Sequence, residues 1–353
     1  MQTAMEFENC LSAQISAHPA IQPQDIIKLC YQAAYGAEHL LSDPDGARRY
    51  LQQEYGETSA SDAPLWEPIS EAVCRVNLAG WKRENLPLEW LFRMFAASCS
   101  GKAGDAAALN DRLTRVEAVL QAAETGFSME DWQKALTAYR EAGMPAVHHS
   151  AIYREKEHPA YRIVHTSLLR LLPVLESVAA RREGEAPFVI AVDGRAASGK
   201  STMGQQLAEI LGAGLVHMDD FFLPLELRTE QRLHTPGGNV HYERFREEVL
   251  PHLRQPEPFS YRKFVCSVKA LQGDRQVAGS SIRIVEGSYS LHPELGHYAD
   301  LTVFSDVDPD EQFRRILARN GPIWGEQFRQ KWIPMEEAYF NAFHIREQAD
   351  LCV

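Results

Sequence analysis

The sequence predicts two parts: a mostly helical N-terminal domain over 1–183, then an α/β domain over 184–353 whose parallel sheet carries helices on both faces. Three observations lead there. Apolar residues recur at helical spacing through much of the first half. After Pro187 the texture changes to short apolar runs, Phe188–Val192, Leu215–Met218, Ile282–Val285 and Leu301–Phe304, separated by helical stretches, which is the pattern of βαβ units. Between the first run and the helix behind it stands Gly194-Arg195-Ala196-Ala197-Ser198-Gly199-Lys200-Ser201, a full match to Gly-x4-Gly-Lys-Ser/Thr.

In the first half, Ile26, Ile27, Cys30, Tyr31, Ala34 and Leu40 predict a helix from about Pro23 to Leu41, which the turn-forming Asp43-Pro44-Asp45-Gly46 stops. A second helix follows to Tyr55. Between Glu71 and Leu78, the alternation of Ala72, Cys74, Val76 and Leu78 with more polar neighbours predicts a half-buried strand. Further helices are expected at 87–99, 106–124 and 129–142, the last opened by Ser128 with Asp131 three residues on, a capping box. Another helix runs from Thr166 to Arg182, with Pro173 as a kink point. The polar stretch Arg181–Pro187 marks the boundary. There is no internal repeat.

Composition bounds the function. At 353 residues, 45% hydrophobic and 24% charged, the chain has ordinary globular proportions and room for two cores. A net charge of −12 argues against general affinity for nucleic acid or an anionic membrane, since both need a basic surface. Six scattered cysteines form no Cys-x-x-Cys pair, and the first residues lack the basic start and apolar core of a signal sequence. The longest apolar stretch, Ile163–Leu175, is interrupted by His165, Arg170 and Pro173 and is too short to span a bilayer. A cytoplasmic protein with reduced thiols is the expectation, and a homo-oligomer is allowed.

The Gly194–Ser201 segment has the chemistry of a phosphate-binding loop (P-loop). Glycines let backbone N–H groups wrap phosphate oxygens, and the N-terminus of the following helix adds positive partial charge. Lys200 neutralises the β- and γ-oxygens of ATP, the Ser201 hydroxyl ligates Mg²⁺, and Thr202 adds an α-phosphate contact. Gly194, Arg195, Ala196, Ala197, Ser198, Gly199, Lys200, Ser201 and Thr202 are therefore the expected nucleotide-binding residues. The fold expected around them is the parallel sheet of a P-loop NTPase.

Beyond the loop, Val216-His217-Met218-Asp219-Asp220-Phe221-Phe222, Ile284-Val285-Glu286-Gly287-Ser288-Tyr289, Asp306-Val307-Asp308 with Phe313-Arg314-Arg315-Ile316-Leu317, Trp332-Ile333-Pro334 to Tyr339, and Ala349-Asp350 follow in order. With the P-loop, this series resembles the uridine kinase-like branch of P-loop kinases, which includes phosphoribulokinase and bacterial pantothenate kinase. The resemblance covers about 187–353. It implies ATP and Mg²⁺ as cofactors, an aspartate near the acceptor hydroxyl, and an arginine-bearing lid helix.

The residues support those roles on their own chemistry. Asp219 sits at the C-terminal edge of an expected parallel strand, where open α/β sheets bind ligands. There it can take the proton of an attacking hydroxyl or help hold Mg²⁺. A helix-capping aspartate is the alternative, and Asp220 is a rival for the role. Glu286 ends another strand and can orient metal-bound water, or serve as partner to a nearby cation. Ser201, Asp219 and Glu286 form the expected metal set. Arg315 and Arg319, four apart on one helix face, are placed to stabilise the transferring phosphoryl group, against a solvated face as the alternative.

The resemblance also breaks. Uridine kinases carry an aspartate-rich His-Pro-Asp stretch near the sugar, whereas His234-Thr235-Pro236-Gly237-Gly238-Asn239-Val240-His241-Tyr242 has no aspartate to grip a ribose. Tyr261-Arg262-Lys263-Phe264 borders either the acceptor pocket or a surface strand. The N-terminal half has no counterpart in the simple kinases of that branch and is expected to shape acceptor choice. Its His148, His149, Glu155, Glu157, His158 and His165 have no recognisable metal spacing. The leading function is a small-molecule kinase that transfers the γ-phosphate of ATP to a hydroxyl. The alternative is a nucleotide-dependent ATPase switch acting through the helical domain; Asn-Lys-x-Asp and Leu-Ser-Gly-Gly-Gln signatures are both missing.

Overall fold

The computed structural model describes residues 6–37, 43–99, 104, 106–182, 184, 186–265 and 267–353. It divides into two compact units, Met1–Arg170 and Leu171–Val353.

The first unit is mainly helical, with helices Phe7–Ala17, Pro23–Tyr35, Pro44–Glu57, Leu88–Ser98, Ala106–Ala122 and Met129–Glu141 among its elements. A small antiparallel sheet runs through it in the order β1 (Trp66–Pro68), β2 (Val73–Asn77), β3 (Tyr161–His165). The strand expected at Glu71–Leu78 is β2, but it is buried on both faces from Val73 to Val76, Arg75 included, and not half-buried. β3 escaped notice because Tyr161-Arg162-Ile163-Val164-His165 is too short to show a period. Asp43-Pro44-Asp45-Gly46 starts a helix and does not end one: the Asp43 carboxylate accepts from the Gly46 N–H at 3.0 Å, and Pro44 fills the first position, where a missing N–H costs nothing. Leu40 and Leu41 lie outside the described residues. The capping box at Ser128 is present in both directions, Asp131 N to Ser128 Oγ at 3.2 Å and Ser128 N to Asp131 Oδ2 at 2.9 Å.

The second unit's first helix is Leu172–Arg181, with Pro173 in its first turn, where proline fits, and Thr166–Leu171 of the longer helix expected from the sequence form a 3-10 stretch instead. Its main sheet comprises β4 (Phe188–Gly194), β5 (Gly214–His217), β8 (Ile282–Glu286), β9 (Leu301–Ser305) and β10 (Leu351–Cys352), with the hairpin β6 (Phe259–Val265) and β7 (Ala270–Val277) between β5 and β8 in sequence. The sheet order is β10-β9-β4-β8-β5, and every neighbouring pair is parallel. Helices surround it, which explains why β4 and β8 are buried at every residue, Arg283 included. This is the parallel sheet of a P-loop NTPase, with helices on both faces. β4 lies at its centre, flanked by β8 and β9, and the chain crosses from one side of β4 to the other between them. The carboxyl ends of these strands therefore open onto the crevice where such sheets bind ligands. No helix among the described residues is long and apolar enough to cross a membrane.

Candidate functional site

β4 delivers the loop to that crevice. Gly194 ends the strand opposite Ser305 of β9, and a Cβ there would stand 2.0 Å from the Ser305 carbonyl oxygen, so only glycine lets the two backbones approach. The loop then turns through Ala197, in the left-handed region at φ 58°, and Gly199 into helix Lys200–Leu211. Lys200 is buried, and its ammonium group folds back over the loop, donating to the carbonyls of Gly194 at 2.8 Å and Arg195 at 2.7 Å. The Ser198 hydroxyl is buried within the loop without a protein partner. A positive charge, a helix N-terminus and an orphaned hydroxyl thus converge on one concavity, which fits a polyphosphate.

The ends of β5 and β8 supply the acidic side. Glu286, the last residue of β8, is buried; its Oε2 accepts from the Ser201 hydroxyl at 2.9 Å, and its Oε1 accepts from His217 Nδ1. Glycine at 204 makes that approach possible, because a Cβ there would stand 2.7 Å from Glu286 Cγ.

Asp219 and Asp220, in the turn after β5, have opposite surroundings. Asp220 is buried and engaged by Tyr261 Oη at 3.0 Å and by Arg275 Nε at 2.6 Å, so it holds the β6–β7 hairpin. Asp219 reaches solvent, and among the described residues no hydrogen bond or ion pair meets its carboxylate. It stands in a recess crowded enough to thin its hydration. That crowding first, and then the charge of Glu286, hold its carboxyl above the usual carboxylate range, with Lys200 and His217 pulling the other way.

A third set fixes the loop from beneath. Asp193, fully buried, accepts at Oδ1 from the N–H groups of Gly194 (2.7 Å) and Tyr289 (3.1 Å), and at Oδ2 from Leu291 N (3.0 Å) and Tyr339 Oη (2.9 Å). Burial raises its carboxyl, and these donors oppose the rise. Glu336 accepts from Ala196 N at 2.9 Å and from the Ser288 hydroxyl at 2.8 Å, and burial raises it too. Arg195 is tied to Asp306 at 2.8 Å and to Glu337. From helix Pro309–Gln327, Arg315 reaches the Ala197 carbonyl at 3.3 Å, whereas Arg319 turns to Asn320 at 2.8 Å.

The structure thus brings together the P-loop residues, Asp219, Glu286 and Arg315, and leaves Arg319 on an exposed helix face in this conformation. Thr202 is exposed in the first turn of the helix. Sequence reasoning missed Asp193, His217 and Glu336. Asp193 was legible as a polar residue ending an apolar strand, and His217 as the neighbour of Met218-Asp219. Glu336 gave no signal, because only tertiary packing brings it 140 residues back to the loop. Tyr261 borders Asp220, and Arg262 pairs with Glu248 at 2.9 Å through Nε.

For a magnesium ion, the Ser201 hydroxyl and the carboxylates of Asp219 and Glu286 offer hard oxygen donors. Among the described residues no group of three or more His, Cys, Asp or Glu is arranged to hold a metal ion. Two carboxylates and a hydroxyl still suit Mg²⁺, which takes few protein ligands and completes its shell with phosphate and water.

No protein-family model matches the chain. Among solved structures it is similar to a possible uridine kinase from Bacillus stearothermophilus, at 17% identity over 53% of this chain and 99% of the other, with a TM-score of 0.40. It is similar to a candidate fructose transport system kinase from Silicibacter sp., at 21% identity over 52% and 98%, with a TM-score of 0.43. A third likeness is to D-glycerate 3-kinase from Cryptococcus neoformans, at 15% identity over 49% and 86%, with a TM-score of 0.34.

Proposed function

We propose that the second unit is a phosphotransferase that moves the γ-phosphate of ATP to a hydroxyl of a small molecule. One observation carries the reading: Asp219 is a carboxylate without a protein partner, in the same recess as Lys200 and Glu286, at the mouth of a sheet built around a P-loop.

The backbone N–H groups of the loop and Lys200 hold the β- and γ-phosphates, and Arg315, beside Ala197, adds charge where the phosphoryl group is in transit. The acceptor oxygen forms a bond to the γ-phosphorus as the bond to the β,γ-bridging oxygen breaks, leaving ADP. The hydroxyl proton passes to Asp219. A carboxyl held above its usual range is the better base for this step, because proton transfer gains driving force as its pKa rises toward working pH. Ser201 and Glu286 would hold Mg²⁺, which when bound neutralises charge on the phosphate oxygens, and Asp219 is left free to take the proton. His217 and Ser201 orient Glu286, and Asp220 keeps the β6–β7 hairpin docked beside the recess.

The acceptor is a small hydroxyl compound other than a free ribonucleoside: the 234–242 segment offers no aspartate to its surroundings, and Arg232, just before it, is committed to Glu243 at 2.8 Å and to Gly238 O at 2.8 Å. Mass-spectrometric screening for ATP-dependent phosphorylation of sugars, sugar acids, vitamins and amino-acid alcohols tests the reading. A phosphorylated product supports it, whereas hydrolysis to inorganic phosphate alone favours a nucleotide-driven switch.

A further inference from the structure

The first unit contains a cleft of about 680 Å³ built wholly from its own residues, with Lys28, Gln32, His148, Arg154 and Tyr161 in its wall. That volume is typical of small-molecule sites.

Behind the lining residues Gln32 and Tyr161 lies a buried cation. Arg75, 2% exposed, donates from Nη1 to Gln14 Oε1 at 2.7 Å and from Nη2 to Gln32 Oε1 at 3.2 Å, and its guanidinium lies 4.6 Å from the centre of the Tyr161 ring. These partners are neutral. Its Nε has none, and no carboxylate among the described residues stands within ion-pair distance. Burial opposes its charge, but Tyr161, Tyr153 and, from beyond ion-pair distance, Glu67 outweigh that and hold the guanidinium above its ordinary value, so its positive charge persists behind the cleft.

Lys28 repeats the pattern. Its ammonium donates to the Val147 carbonyl at 3.2 Å, and burial first, then the charge of Arg75, pull it down to about 8. Arg154 is exposed and has no hydrogen bond or ion pair among the described residues. The two carboxylates of the wall are already engaged: Glu54 by Arg162 at 2.5 Å, and Asp43 by the Gly46 N–H.

The wall is also held rigidly. Asp25 is buried; burial alone would raise it, but donation from His149, Ser150 and Gln22 brings it below the usual carboxylate range. Such a carboxylate only accepts, so His149 donates from Nδ1 to Asp25 at 2.8 Å, and burial pushes the imidazole down to about 4, keeping it neutral. Its Nε2 must then accept from the Tyr161 hydroxyl at 2.6 Å, and that hydroxyl accepts from Gln32 Nε2 at 3.1 Å. Both wall residues over Arg75 are thus locked by a continuous hydrogen-bond chain, as preorganised sites require.

We infer that this cleft binds a small molecule carrying a phosphate or carboxylate group, whose charge sits against Lys28 and Arg154 in the lining, in the field of the Arg75 cation behind it. The site is independent of the phosphotransferase reading.

The test is calorimetric titration of the full chain with inorganic phosphate and, separately, with malonate, at constant ionic strength, in a Lys200→Ala background that weakens the P-loop's own anion site. At least one probe binds that chain, and adding Lys28→Gln and Arg154→Gln weakens it about tenfold or more, as loss of charge-assisted contacts predicts. Arg154→Gln alone, at an exposed position that cannot unfold the chain, weakens it in the same direction. Phosphate preference or malonate preference identifies the class. No binding of either probe at ten-millimolar concentration, or binding that ignores both charge removals, overturns the proposal.

Discussion

Ser201 donates its hydroxyl to Glu286 across 2.9 Å, joining the first turn after the P-loop to the end of the neighbouring strand. The contact exists because residue 204, one helical turn on, is glycine. Gly204→Ala would place a methyl group 2.7 Å from Glu286 Cγ and push the carboxylate off Ser201. Overpacking of this kind costs roughly 1–3 kcal/mol. The variant is expected to stay folded, with a lowered denaturation midpoint and ATP turnover reduced at least tenfold. Turnover equal to that of the parent chain would show that the Ser201–Glu286 pair has no part in the reaction.

Asp219 and Asp220 should separate cleanly. With Asp219 as the base, Asp219→Asn lowers kcat by ~10²-fold or more with KM for ATP nearly unchanged. Its effect on stability runs the other way. A carboxyl raised in the folded state holds its proton more tightly there, so its contribution is favourable at low pH and lost as pH rises through the folded value. Replacing it with a neutral amide is therefore stability-neutral or stabilising at pH 7.5. Asp220→Asn strips Arg275 and Tyr261 of their acceptor and lowers the midpoint. A larger kcat loss for Asp220→Asn than for Asp219→Asn would transfer the role of base to Asp220.

Arg315 and Arg319 make a second comparison, since only Arg315 touches the loop. Arg315→Gln is expected to reduce kcat by ten- to a hundredfold, and Arg319→Gln by less than threefold. Equal losses would mean that the helix shifts during turnover to bring Arg319 inward.

Much of this site was legible in the sequence because its chemistry is local. The P-loop needs consecutive residues of fixed type, Glu286 ends the short, apolar-rich run of β8, and Asp219 follows the run of β5 by two residues. What stayed hidden depends on distance along the chain. Glu336 reaches Ala196, Tyr339 reaches Asp193, and Arg275 reaches Asp220 through tertiary packing that leaves no spacing to read. Asp43-Pro44-Asp45-Gly46 misled for a different reason: Asp-Pro serves equally to end one helix and to cap the next, and only the partner of the Asp43 carboxylate tells which. In the first half, His149 looked like one of six scattered polar residues until folding set it between Asp25 and Tyr161.

That histidine makes a prediction about pH. An imidazole at about 4 in the folded chain, against about 6.5 unfolded, takes up its proton first in the unfolded state as pH falls. Its contribution is therefore intact above pH 6.5 and declines between 6.5 and 4, by up to ~3 kcal/mol. His149→Gln should be less stable at pH 7.5 and should show a flatter decline in urea midpoint between pH 7 and pH 4.5. An unchanged slope would mean that His149 is protonated against Asp25 in the folded state.

The central claim, that the second unit transfers a phosphoryl group from ATP to a hydroxyl, is tested most directly by following the γ-phosphate itself. The full chain is incubated with Mg²⁺, ATP labelled with ¹⁸O in its γ-phosphate, and pooled hydroxyl compounds, and products are read by mass spectrometry beside a Lys200→Ala control. The account predicts a labelled phosphate ester of one small molecule that forms with the parent chain and falls by ~10²-fold or more in the control, because Lys200 acts on phosphate charge. Labelled inorganic phosphate with no ester, or an ester that forms equally without Lys200, would contradict it.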